Sequence, residues 1–98
     1  MNGLKSLKEN LFAKAFHVEL EEIYCYPNDK NFQFPSHEVV VSALEKYAQS
    51  NNMELQFIDK EKRILFLING KNKYEAKLEL GRGRYNQGYA VNCRQIFE

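Results

Sequence analysis

Apolar positions recur with two different periods along the chain, and the switch between them marks out the elements. Within residues 36–52, Val40, Val41, Leu44, Tyr47 and Ala48 fall at helical spacing, a stripe that predicts an amphipathic helix. Ser36 is a suitable N-cap, Pro35 precedes it, and Glu38 sits in the first turn, where the helix dipole favours negative charge. Asn51 and Asn52 can end this helix, because Asn tolerates the left-handed cap conformation. Upstream, Phe16, Val18 and Leu20 alternate with His17, Glu19 and Glu21, the pattern of a half-buried strand. The alternation slips at Glu22 and Ile23, which predicts a bulge or a strand end there. Pro27, Asn28 and Asp29 then predict a turn. At the N-terminus, Leu4, Leu7 and Leu11 share one helical face, with Ser6 and Glu9 spaced as a capping box, so a short helix is expected.

After the long helix the period becomes two. Met53, Leu55 and Phe57 share a face, residues 59–62 form a polar turn, and residues 64–68 are apolar on both faces, as expected of an interior strand. Asn69-Gly70 is a two-residue hairpin signal with Ile68 and Lys71 flanking it, because a type I′ turn needs positive φ at both central positions. Beyond it Lys71, Lys73, Glu75, Lys77 and Glu79 are placed toward water, and Tyr74, Ala76, Leu78 and Leu80 toward the core. A last strand sets Tyr89, Val91, Cys93 and Phe97 against Asn92 and Arg94. Leu44, Phe57, Phe66 and Leu78 are expected in one core.

The predicted fold is α+β in two layers. A largely antiparallel sheet of four or five strands carries the long helix on one face, with the short N-terminal helix in addition. The strands before and after the long helix can be neighbours; periodicity leaves their order open. A chain of 98 residues is expected to be one domain. Its 44% hydrophobic and 28% charged composition is that of a globular protein. No apolar run approaches the length of a membrane span. Lysines interrupt the N-terminal stretch, which argues against a secretory signal, so the cytoplasm is the expected compartment. There Cys25 and Cys93 are expected as reduced thiols.

The net charge of +1 conceals an asymmetry: residues 1–59 hold five Lys and nine Asp or Glu, giving −4, and residues 60–98 hold nine Lys or Arg and four Glu, giving +5. The chain is therefore not globally basic, as many nucleic-acid binders are.

The strand ending in Tyr26-Pro27, the helix EVVVSALEKY, the segments NNMELQFI and LFLINGKNKYEA, and the closing GRGRY, GY and CR resemble a small uncharacterised bacterial α+β domain family of unknown function. The resemblance covers residues 16–97. It implies a compact α+β domain and no activity.

Few residues suggest chemistry. His17, Cys25, His37 and Cys93 are zinc-ligand types, but no two lie closer than eight positions, whereas structural zinc sites bring paired ligands a few residues apart. No metal and no cofactor is expected. A Cys–His nucleophile pair lacks an accompanying oxyanion motif. Glu19 and Glu21 share a strand face with nothing nearby to split their pKa values, so a solvated face is expected. Residues 81–89, GRGRYNQGY, contain G-x-G without the full dinucleotide fingerprint. What remains is a candidate binding set, Arg82, Arg84, Tyr85 and Arg94 with Tyr89 behind it, since arginines contact phosphates and tyrosines stack on bases. The competing reading is a glycine-rich hairpin, with Tyr89 turned to the core and the arginines to solvent.

The resulting expectation is a non-enzymatic binding or regulatory module acting through another protein, or through self-association at a sheet edge. The alternative is RNA or single-stranded DNA binding through hairpin 81–94, and a third class is a small cysteine-dependent hydrolase.

Overall fold

The computed structural model describes residues 15–81 and 88–97. The chain forms β1 (Ala15–Val18), a 3-10 turn (Glu22–Tyr24), α1 (His37–Ser50), β2 (Leu55–Asp59), β3 (Ile64–Ile68), β4 (Asn72–Leu80) and β5 (Tyr89–Gln95). The five strands make one sheet in the order β1-β5-β4-β3-β2, with every neighbouring pair antiparallel. Helix α1 packs on one face. This is the α+β arrangement expected from the periodicities. The expected N-terminal helix lies outside the described residues.

Helix α1 begins where the sequence places it. Ser36 is extended (φ −78°, ψ 171°), and its Oγ accepts the Val39 N–H at 3.3 Å, satisfying one of the donors a helix start leaves unpaired. Its end is a Schellman-type cap. Asn52 takes φ 55°, Met53 N–H reaches the Ala48 carbonyl at 2.8 Å, and Asn52 N–H reaches Gln49 at 3.3 Å. Between the caps, Val40, Leu44 and Ala48 are buried against the sheet, and Val41 and Tyr47 pack at the margin of the same core.

The two strands flanking α1 are not neighbours. β1 and β2 form opposite edges of the sheet. The connection between them, residues 19–54 with α1 inside it, carries the chain from one edge to the other, and the meander β2-β3-β4-β5 walks back to pair with β1.

The core is built on aromatic contacts between these edges. Phe66, fully buried, stacks on Tyr74 at 5.7 Å and meets Phe57 edge-on at 6.2 Å. Tyr74 meets Phe16 edge-on at 5.2 Å, and Phe16 stacks on Tyr47 of α1, also at 5.2 Å. A second group, Phe32 and Phe34 around Tyr89, covers one end of the sheet.

Four expectations are corrected. β1 stops at Val18, short of the slip at Glu22, and the chain turns through the 3-10 segment instead. Phe97 is 78% exposed because β5 ends at Gln95. Leu80 is exposed and Leu78 half-buried, because β4 outruns β3: the last β3 pair is Ile64 with Ala76, and Lys77–Leu80 pair only with β5. The Asn69-Gly70 turn forms, with φ 54° and 68° and Lys71 N–H bonded to Ile68 at 3.1 Å, but the ladder pairs Ile68 with Asn72. Lys71 is an extra residue, a bulge beside the turn. Without it Phe66 would lie opposite Lys73 rather than Tyr74, and one strand would present its charged face to the core.

Candidate functional site

The edges differ. Between Phe57 and Asp59 the β2 ladder shifts register, leaving Ile58 51% exposed, and Lys60 lies 5.0 Å above the Phe57 ring. A bulge and a lysine are devices that blunt a sheet edge against further pairing. β1 runs in unbroken register against β5, from Ala15 opposite Arg94 to Val18 opposite Val91, and among the described residues no strand lies on its other side.

Beside that edge lies an open groove of about 750 Å3 between residues 17–24 and α1. The strand side contributes Val18, Glu19 and Glu21, and the helix side Glu38, Ser42 and Lys46. Tyr47, whose ring stacks on Phe16, also lines it. Lys46 Nζ stands 3.6 Å from Glu21 Oε1 across it, with both side chains about 70% exposed. So exposed a pair contributes little to stability and yields readily to another partner.

The strand-side wall is strapped to the sheet. The Cys25 carbonyl accepts the Tyr89 N–H at 2.8 Å, and its thiol donates to the Leu20 and Glu21 carbonyls at 3.4 Å. A Cβ at Gly88 would come within 3.1 Å of the Cys25 carbonyl oxygen, so any larger residue would press this approach apart by a few tenths of an ångström. Burial, with Glu19 and Glu22 adding to it, pushes the Cys25 thiol above its ordinary pKa, the reverse of what activates a nucleophile. Burial alone pushes Cys93 up to about 12. The histidines are engaged elsewhere. His17 Nδ1 lies 3.1 Å from Asn92 Oδ1, and His37 Nδ1 3.2 Å from the Lys60 carbonyl. Among the described residues no group of three His, Cys, Asp or Glu is placed to hold a metal ion, and no helix is long and apolar enough to cross a membrane.

Of the candidate binding set, Arg82, Arg84 and Tyr85 lie outside the described residues. Arg94 is exposed on the sheet face opposite α1, paired in register with Glu75. That carboxylate takes two N–H groups from Arg63, each at 3.1 Å, and this hydrogen bonding holds its pKa below the usual carboxylate range. Asn92, one row away, donates to Glu79. The face carrying Arg94 therefore interleaves Lys77 and Arg94 with Glu75 and Glu79, which cancels much of the field that would attract a phosphate backbone. Tyr89, expected toward the core, is half-buried between Phe32 and Phe34.

Sequence reasoning missed the groove. Its helix side, Glu38, Ser42 and Lys46, reads in sequence as an ordinary solvated face. Small Ser42 and Ala43 between opposite charges are the one signal there.

No family model, curated protein or solved structure matches the chain.

Proposed function

We propose that the chain is a small non-enzymatic binding module of the cytoplasm that works through protein contacts, taking an extended segment of its partner along β1 in the groove beside α1. The observation that carries this reading is the contrast between edges: β2 is bulged, and β1 is regular, paired on one side among the described residues, and beside a groove. Strand addition draws affinity from main-chain hydrogen bonds and specificity from side-chain sites alongside. The raised thiol pKa values and the engaged histidines weigh against a cysteine hydrolase. The mixed charge around Arg94 weighs against nucleic acid as the main ligand.

The test is capture by the full chain after nuclease treatment, repeated with Ser42→Arg, which fills the groove from an exposed position, and with Gln56→Arg on β2 as a control. Protein capture that survives nuclease, is lost with Ser42→Arg and is kept with Gln56→Arg supports the reading. Capture abolished by nuclease and by Arg94→Glu, or unaffected by Ser42→Arg, overturns it.

A further inference from the structure

We infer that the occupant of the groove is a second copy of this chain, related by a two-fold axis that sets β1 antiparallel to β1 and α1 antiparallel to α1. The inference rests on the protein-contact reading above and names its partner.

A two-fold interface uses one surface patch twice, so the patch must complement itself. The groove does so on both walls. On the helix side, Glu38, Ser42 and Lys46 occupy positions i, i+4 and i+8 and all line the groove, a single ridge along α1. An acid stands at one end, a base at the other and a small residue at the centre. Reversing the ridge against itself about Ser42 brings Glu38 of each copy to Lys46 of the other. A parallel copy would set Glu38 against Glu38 and Lys46 against Lys46, and an unrelated cationic helix would leave Lys46 opposed by its own sign. Ser42 and Ala43 keep the centre of the contact small, which lets two helices approach closely.

On the strand side the same symmetry works about His17. Antiparallel pairing there sets Phe16 of each copy opposite Val18 of the other, and Ala15 opposite Glu19. Phe16 and Val18 belong to the face packed on the core and Ala15 and His17 to the other face, so each layer of one sheet continues into the same layer of the next. Their union is one ten-stranded sheet, since each copy contributes five strands, with both helices on one side and the regular edges consumed. The outer edges of the pair are then the two β2 strands, which carry the bulge. The assembly closes at two copies instead of growing. The exposed Lys46–Glu21 contact costs little to exchange for the new pair.

The experiment is sedimentation velocity of the full chain over a concentration series. Wild type is expected to reach twice the chain mass. Lys46→Glu and Glu38→Lys should each weaken association by about tenfold, because each turns two exposed attractions into two repulsions. The double variant Glu38→Lys/Lys46→Glu should restore it, and so should mixing the two single variants. The last result excludes misfolding as the cause of the loss, since unfolded chains do not rescue each other. Ser42→Arg, with its helix content checked by circular dichroism, should stay monomeric. A wild type that is monomeric throughout overturns the inference, while groove-dependent capture of a different protein would still uphold the protein-contact reading. A dimer indifferent to both charge reversals, or not restored by combining them, also overturns it.

Discussion

Phe66 shows how the core depends on single side chains. It is fully buried and touches aromatic rings on both flanking strands, so removing its ring leaves a cavity that neighbours cannot fill without breaking their own stacking. Phe66→Ala and Leu44→Ala should each cost about 2–5 kcal/mol, read from urea midpoints. Losses under about half a kcal/mol for both, the level of an ordinary surface substitution, would contradict the layout. Cys93 gives a second test. Its folded pKa is raised to about 12 from an ordinary 9.0, so its contribution to stability is complete below 9.0 and is lost as pH rises toward about 12. Burial raises Tyr74 and Tyr47 in the same sense, so stability should decline above pH 9 and decline less steeply in Cys93→Ala. At neutral pH the native thiol of Cys93 should resist alkylation; rapid labelling would contradict its burial. At this scale the sequence showed the direction of side chains better than the length of strands. Phe97 is in phase with Val91 and Cys93, yet it is exposed, because phase persists in sequence after a strand has ended.

Among the elements, the Asn69-Gly70 hairpin was legible from two residues, since positive φ at both is a steric demand. Its register was legible only by combining two strands: Phe66 and Tyr74 can share the core only if Lys71 is an extra residue. Gly70 has no neighbour within 4 Å of where a Cβ would stand, but its φ is +68°. Gly70→Val should therefore destabilise through backbone strain and not through a clash, by about 1–2 kcal/mol. Asn at this position should cost less, because it tolerates the left-handed region. Equal stability of the Val and Asn variants in denaturant melts would contradict the turn geometry. The N-cap at Ser36 and the stripe from Val40 to Ala48 were legible for the same local reason. The 3-10 turn at Glu22–Tyr24 was not, because the strap that holds it joins Cys25 to Tyr89, far away in sequence.

For the whole molecule, local pattern cannot say which strands are edges. β1 and β2 look alike in sequence, each a short alternating segment beside the long helix. Their contrast depends on the long connection that puts them at opposite edges and on the bulge at Ile58. The groove follows from that topology, which is why Glu38, Ser42 and Lys46 carry little signal until the fold is built. The face carrying Arg94 is mixed in charge within the basic half of the chain itself, since Lys77 and Arg94 come to lie among Glu75 and Glu79. The proposed contact surface is the β1 edge and not the β2 edge. Backbone hydrogen exchange of the full chain at low and high protein concentration tests it most directly. Residues 16–21 should gain protection as concentration rises while residues 55–59 stay unchanged; no gain at 16–21, or a gain at 55–59 instead, would contradict it.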